Sequence, residues 1–323
     1  MSQAAAPCES LAGSVLGFWR ILPALLLPAT PLTATHHAGA AMAATFRLAV
    51  SERFTLSDYA EHALPFLAPF TGTAGVELVT VAPRDGGYHA EDLAGVDAFI
   101  LVGHPGQFGA ESIPADGRLA AVIRYGVGYD EVDVAACTDA GVALVTTPDG
   151  IGPSMAVAAV TFILALAHRV LDKDRLSRAG AEGWAEGQLL MGSGVGGKVL
   201  GLLGLGNIGA KVARLLTPFG MTVLACDPFL TPEELRRRGL TIELVDKPTL
   251  FTRSDFVSIH CPLEPSTVGA VSTAELALMK PTAFLVNTAR GPIVDAEPLA
   301  EALHAGSIAG AGIDVFDTEP PPP

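Results

Sequence analysis

Gly204-Leu205-Gly206-Asn207-Ile208-Gly209 is the stretch on which the reading of this chain turns. Ahead of it, Val199 to Leu203 is an apolar run short enough to be one buried parallel strand. Behind it, Ile208, Val212, Leu215 and Phe219 recur at helical spacing, and Gly220 stands where a left-handed cap would end the helix. Met221 to Cys226 reads as a second strand, with Asp227 at its carboxyl end. The order is strand, glycine turn, helix, strand, acid.

Each part has a physical task in holding a dinucleotide. Gly204 makes the tight turn, Gly206 lets backbone approach a pyrophosphate, and Gly209 lets the helix pack on the strand. The first helical amides, at Asn207 and Ile208, face the anion. Asp227 lies 18 residues past Gly209 and can accept hydrogen bonds from both ribose hydroxyls. Its carboxylate would repel a 2′-phosphate, and Pro228, Phe229 and Leu230 supply no arginine to hold one, so the cofactor indicated is NAD rather than NADP. A glycine pattern alone is weak in a chain with 35 glycines; the agreement of its neighbours gives it weight.

At 323 residues, half of them hydrophobic, the chain can build two cored domains. A formal charge of -14, without clustered Lys and Arg, argues against a nucleic-acid partner. Cys8, Cys137, Cys226 and Cys261 are too scattered for a metal site or a disulfide scaffold and fit a reducing cytoplasm. Residues 1–44 read as an extension, disordered or outside the true start. Residues 1–41 are rich in alanine and proline, lack the basic start of a secretory signal and the arginines of a transit peptide, and are read as preceding a translation start at Met42. The uncharged stretch Gly150 to Ala167 barely reaches spanning length and contains Pro153. It reads as a helix buried between domains or subunits rather than in a membrane, with the charged His168 to Arg178 leaving the core.

From Thr45 onward, strands are expected at Phe46–Val50, Val76–Val81, Ala98–Val102, Ala120–Tyr125 and Val142–Val145. Intervening helices and loops imply a parallel sheet and a first, substrate domain over 45–149. The uncharged helix from Ser154 and a glycine-rich loop, Gly192 to Gly197, lead into the dinucleotide turn and an NAD-binding domain over 150–317. After Asp227 the spacing predicts a helix over Pro232–Arg238 capped by Thr231, a strand over Asp255–His260 and a helix over Thr273–Met279. A strand over Ala283–Thr288, a helix over Asp295–Ala305 and a strand over Ile308–Phe316 follow. The fold class is α/β, a doubly wound parallel sheet beside a smaller flavodoxin-like domain.

Four segments together resemble the D-isomer-specific 2-hydroxyacid dehydrogenases, a family that includes phosphoglycerate, glyoxylate and hydroxypyruvate reductases. They are Arg124-Tyr125-Gly126-Val127-Gly128-Tyr129-Asp130, the glycine turn with Asp227, Val286-Asn287-Thr288-Ala289-Arg290-Gly291, and Asp314-Val315-Phe316-Asp317-Thr318-Glu319-Pro320. The resemblance implies that Arg290 holds the carboxylate of a 2-oxo acid and polarises its keto oxygen, a task suited to a rigid guanidinium fork. It implies that Gly126, Val127 and Gly128 grip the carboxylate through backbone amides, and that Thr288, Ala289 and Arg290 border the cofactor. Asp314 would bind the nicotinamide carboxamide, and Glu319 would pair with a catalytic histidine and raise its pKa. His260 is read as a core or cofactor-edge residue. His104 and His168 have no sequence partner that suggests chemistry.

In the family the proton-donating histidine follows the Glu-Pro motif, and helices then complete the first domain. Here the sequence stops at Pro323, so residues 318–323 read as the start of a return to that domain. Two functions compete: an NAD-dependent 2-hydroxyacid dehydrogenase read from an incomplete sequence, or a non-catalytic NAD-binding or interaction protein. A small 2-oxo or 2-hydroxy acid is the expected substrate, and a homodimer the expected assembly. Gly103 to Phe108 carries no arginine, which disfavours a phosphorylated substrate.

Overall fold

A computed structural model describes residues 45–55, 65–103 and 106–321. The expectations attached to residues 1–44, His104 and the last two prolines lie outside these. The chain divides into two compact units, one running to Ile151 and the other from Gly152.

The first unit is a five-stranded parallel sheet of order β2-β1-β3-β4-β5. Its strands are β1 (Phe46–Ser51), β2 (Val76–Val81), β3 (Ala98–Leu101), β4 (Ala121–Arg124) and β5 (Ala143–Thr146). This order belongs to flavodoxin-like sheets and agrees with the expected alternation. Side chains of successive residues alternate between two faces. Ala49, Phe99, Leu101 and Val122 pack with Tyr88 and Phe108 on one, and Leu48, Val50, Ala98, Ile100 and Ile123 pack with Phe54 and Phe70 on the other. The sequence did not announce the short helix Val134–Asp139, which Asp133 caps by accepting from the Ala136 amide.

The second unit is a six-stranded parallel sheet of order β11-β10-β9-β6-β7-β8. The strands are β6 (Val199–Leu203), β7 (Thr222–Cys226), β8 (Glu243–Leu244), β9 (Phe256–Ile259), β10 (Phe284–Asn287) and β11 (Gly310–Ile313). The chain winds outward from β6 to β7 and β8, returns to the other side of β6, and continues through β9, β10 and β11. That path is the doubly wound order with its switch point between β6 and β9. One face packs Leu200, Leu202, Val223 and Phe256 against Ala156, Ala159 and Ile163 and against Val212, Ala213 and Leu216. The other packs Leu203, Leu224, Val257 and Leu285 against Leu250, Phe251, Leu276 and Leu299.

Two local expectations change. The helix expected from Ser154 starts at Pro148 and runs to Ala167, with Pro153 inside its early turns. It is long and apolar enough to cross a membrane, yet its Gly152, Ala156, Ala159, Ile163 and Ala167 stripe is buried against the sheet. The charged continuation begins with a break in the helix. Arg169 adopts a left-handed φ of 52°, and helices Val170–Arg178 and Gly180–Leu189 follow. The last strand ends at Ile313, so Asp314 to Phe316 is loop. Gly220, at φ 81°, does close the segment after the helix Asn207–Leu216, and Thr231 caps the helix Pro232–Arg237. The sequence reading missed strand β8 and the helix Lys247–Arg253, which Asp246 caps.

Candidate cofactor and substrate site

The glycine turn sits where β6 ends. Gly204 has φ 94°, and a Cβ there would lie 2.6 Å from the Cys261 nitrogen and 2.8 Å from the His260 carbonyl carbon, so the ends of β6 and β9 meet through glycine alone. Gly209 is pressed in the same way against the Gly204 carbonyl oxygen, 2.5 Å from where its Cβ would stand. Gly206 differs, because nothing lies within 4 Å of its Cβ position. Backbone packing thus explains the first and third glycines, and the second faces open space at the start of the Asn207–Leu216 helix.

Asp227 fixes the turn from the next strand. One carboxylate oxygen accepts from the Leu205 amide at 2.8 Å and the other from the Phe229 amide at 3.0 Å. Each oxygen has a second lone pair, so the expected ribose contact and the turn-holding role are compatible. Asn207 accepts a short hydrogen bond from the Lys211 ammonium one turn along the same helix. His260 is half-buried, with Nε2 2.9 Å from Ser258 Oγ; desolvation pulls its pKa down to about 4, so the ring is neutral at physiological pH. Burial pushes the Cys261 thiol up to about 11 and raises Cys226, so neither is a ready thiolate.

Two strands from β6, the end of β10 is organised by Asn287. This buried side chain donates to the Arg290 carbonyl at 2.8 Å and accepts from the Ala289 amide at 3.0 Å, stapling the Thr288–Arg290 turn. The Asn287 carbonyl also accepts from the Asp314 amide at 3.0 Å. Thr288 is 6% exposed, and its buried hydroxyl oxygen has no hydrogen-bond partner among the described residues. Arg290 is half-buried, with Nη1 donating to the Ala289 carbonyl at 2.8 Å. A Cβ on Gly291 would stand 2.1 Å from the Phe316 carbonyl carbon, so the Arg290 turn lies directly against the loop that carries Asp314 and Glu319. Asp314 and Glu319 are both exposed, and Glu319 Oε1 accepts from the Phe316 amide at 3.1 Å. The structure therefore brings Arg290, Asp314 and Glu319 to one edge of the second sheet.

In the first unit, the loop after β4 departs from expectation at one residue. The Gly126 amide is not uncovered: it donates to Thr147 Oγ1 at 2.8 Å, and the Gly126 carbonyl accepts from the Thr147 amide at 2.8 Å. The neighbouring strand end stitches that residue in place. Among the described residues, the Val127 and Gly128 amides have no protein acceptor. A buried ion pair, Arg124 to Glu131, joins the two ends of the loop, and Arg124 Nη1 donates to the Tyr125 carbonyl at 2.8 Å. Neither the Thr147 bond nor this pair was foreseen, although Arg124 and Glu131, seven residues apart around two glycines, were visible in the sequence.

Residues 160–323 match the model of the D-isomer specific 2-hydroxyacid dehydrogenase NAD binding domain. The chain belongs to that family. This 2-hydroxyacid dehydrogenase homologue is 38% identical over 209 residues to a glyoxylate reductase of Thermococcus litoralis, covering 63% of this chain and 62% of that protein. It is 40% identical over 212 residues to a hydroxypyruvate reductase of Thermotoga maritima, covering 66% and 67%. Among solved structures, an NAD-dependent formate dehydrogenase from Staphylococcus aureus in complex with NAD superposes with a TM-score of 0.71 at 28% identity, covering 86% of this chain and 83% of that one. The chain spans less than two thirds of the Thermococcus relative. The family's domain gives it NAD as cofactor, and the Gly204–Gly209 turn with Asp227 is chemically suited to that molecule.

Proposed function

We propose that this family member catalyses reversible reduction of a small 2-oxo acid to its (R)-2-hydroxy acid, with hydride from NADH. The observation that carries the reading is the Asn287-stapled turn. It presents the Arg290 guanidinium and a buried, unpartnered Thr288 hydroxyl at the sheet edge where open α/β sheets bind ligands. Arg290 holds the substrate carboxylate and polarises the keto oxygen, since one planar fork can serve both. Gly204, Gly206, Asn207, Ile208 and Gly209 take the pyrophosphate, and Asp227 takes the ribose. Thr288 and Ala289 border the nicotinamide, and Asp314 accepts from its carboxamide. Glu319 is the carboxylate suited to hold a proton-donating imidazole and raise its pKa; the family carries that imidazole beyond the Glu-Pro motif, and the sequence to Pro323 does not include it. In the first unit, the Val127 and Gly128 amides are donors for a carboxylate, while Gly126 serves through the backbone course that Thr147 imposes.

The substrate is small and unphosphorylated, a reading supported by the absence of arginine in the sequence from Gly103 to Phe108. We further infer a cytoplasmic homodimer. Exposed Val157, Leu171, Trp184 and Leu189, in three successive helices, supply apolar surface for a partner. The enzyme reading is tested in a chain extended through the family's histidine segment, by following NADH oxidation with glyoxylate, hydroxypyruvate, pyruvate and 3-phosphohydroxypyruvate. Turnover is expected with the unphosphorylated acids. Arg290→Ala is expected to lower kcat/KM by about a hundredfold or more, with a far smaller loss of NADH affinity. Tight NADH binding with no oxidation by any of the four acids would leave a cofactor-binding protein without this activity.

A further inference from the structure

The position of Lys211 is electrostatically awkward. It is the fifth residue of the Asn207–Leu216 helix, and helical side chains lean back toward the amino terminus, so its ammonium lies over the first turn, bonded to Asn207 Oδ1. A helix amino terminus carries partial positive charge, and a cation placed there is disfavoured unless an anion joins it. Among the described residues no carboxylate pairs with Lys211. Asp227, the acid closest to this turn in the argument above, is already engaged by the Leu205 and Phe229 amides. Nor is Lys211 flung out into solvent. It is half-buried, and the Cβ position of Gly152 lies 3.6 Å from Nζ and 3.4 Å from Asn207 Nδ2, so the apolar helix reaches this spot with a residue small enough to leave both polar groups room.

We propose that Lys211, oriented by Asn207, is a binding residue for the dinucleotide pyrophosphate and supplies the one mobile positive charge in a site otherwise made of backbone amides. The inference rests on the assignment of the glycine turn to NAD. The open space at Gly206 gives the diphosphate room to approach the amides. Lys211 adds charge from the side of the second helical turn, and its hydrogen bond to Asn207 holds the ammonium near the anion before the ligand arrives. The side chain touches none of Arg290, Asp314 or Glu319 in this picture. Its contribution is affinity for the phosphates rather than alignment of the reacting carbon.

The test is equilibrium binding to the purified chain, measured for NADH by fluorescence and for ADP and adenosine by calorimetry. Lys211→Met is expected to weaken NADH and ADP about tenfold each, to leave adenosine unchanged, and to flatten the dependence of NADH affinity on salt. Lys211→Arg is expected to restore most of the loss. Equal NADH and ADP affinities in wild type and Lys211→Met would overturn the role. An equal loss for adenosine would also overturn it, because the effect would then be general distortion of the turn. Failure of the wild-type chain to bind NADH, ADP and adenosine alike would instead overturn the assignment of the turn itself.

Discussion

Two glycine-containing loops, each proposed above to receive an anion, are held in place by opposite means. The Gly204–Gly209 turn is fixed by close approach: backbone against backbone at Cys261 and at Gly204 itself, with Asp227 bracing it through two amides. The loop from Gly126 to Gly128 is fixed by charge. Arg124 and Glu131, both buried, close its ends, and Thr147 stitches the amide of Gly126. The first arrangement uses no buried ion pair, and the charges at its mouth are the Asp227 carboxylate and the Lys211 ammonium. The second places a compensated pair under the loop, leaving neutral amides at Val127 and Gly128. The lesson is that the same end, exposed N–H donors, is reached once by sterics and once by electrostatics, and the two should fail under different insults.

The largest expected effect comes from the charged design. Glu131→Ala leaves Arg124 buried without its carboxylate, which costs about 3–5 kcal/mol when a desolvated pair is broken from one side. Replacing both partners with apolar residues, Arg124→Met with Glu131→Leu, is expected to recover most of that, because the penalty belongs to the orphaned charge rather than to the loss of attraction. Urea unfolding of the single and double variants measures it. A double variant no more stable than Glu131→Ala would mean that the pair holds the loop by geometry no apolar substitute can supply.

The steric design is broken by one methyl group. Gly204→Ala places a Cβ within 2.6 Å of the Cys261 nitrogen at a positive φ, so the ends of β6 and β9 must part; a loss of about 3 kcal/mol is expected. NADH affinity should fall with it, whereas Glu131→Ala should leave NADH affinity intact in whatever fraction stays folded. Parallel titrations with NADH decide whether the two loops are as separable as their construction suggests.

How much of this was legible beforehand follows the same division. The steric turn could be read because its signal is local: glycines at fixed spacing, apolar runs on either side, an acid at the next strand end. Strands β2 and β6 begin and end where the hydrophobic pattern placed them. Long-range partners were not legible. Nothing in the sequence near Gly126 announces that Thr147 will take its amide, because that bond depends on β4 and β5 being neighbours. The Asn287 staple was hidden in a motif recognised for Arg290, since its two bonds run to backbone atoms that any residues would offer. The helix Lys247–Arg253 was passed over although its signals are local: Asp246 caps it and Pro248 stands in its first turn, where proline is tolerated. Ile308–Phe316 was drawn too long because its apolar run continues past Ile313 into a loop held by Asn287 and Glu319.

The smallest of the expected effects sharpens the comparison through pH. His260 backs the steric turn: its carbonyl carbon is 2.8 Å from the Cβ position of Gly204, and its own Cβ is 3.5 Å from that of Gly209. Its ring is kept neutral by burial, with a pKa of about 4 in the folded chain against 6.5 for the free side chain. Between those values the unfolded chain binds a proton that the folded chain refuses. Stability from this group is therefore complete above pH 6.5 and is lost as pH falls toward 4, by about 3 kcal/mol in all. His260→Asn removes the titration while keeping a polar partner for Ser258, so its urea midpoint should change less than that of the wild type between pH 7 and pH 4.5. Because Glu131 and Arg124 form their pair far from this ring in sequence and in another unit, the Glu131→Ala variant should keep the wild-type slope over the same interval. Parallel pH profiles for wild type and His260→Asn would show that the acid sensitivity of the glycine turn comes from another group, with the Asp227 carboxylate that braces it the next to replace.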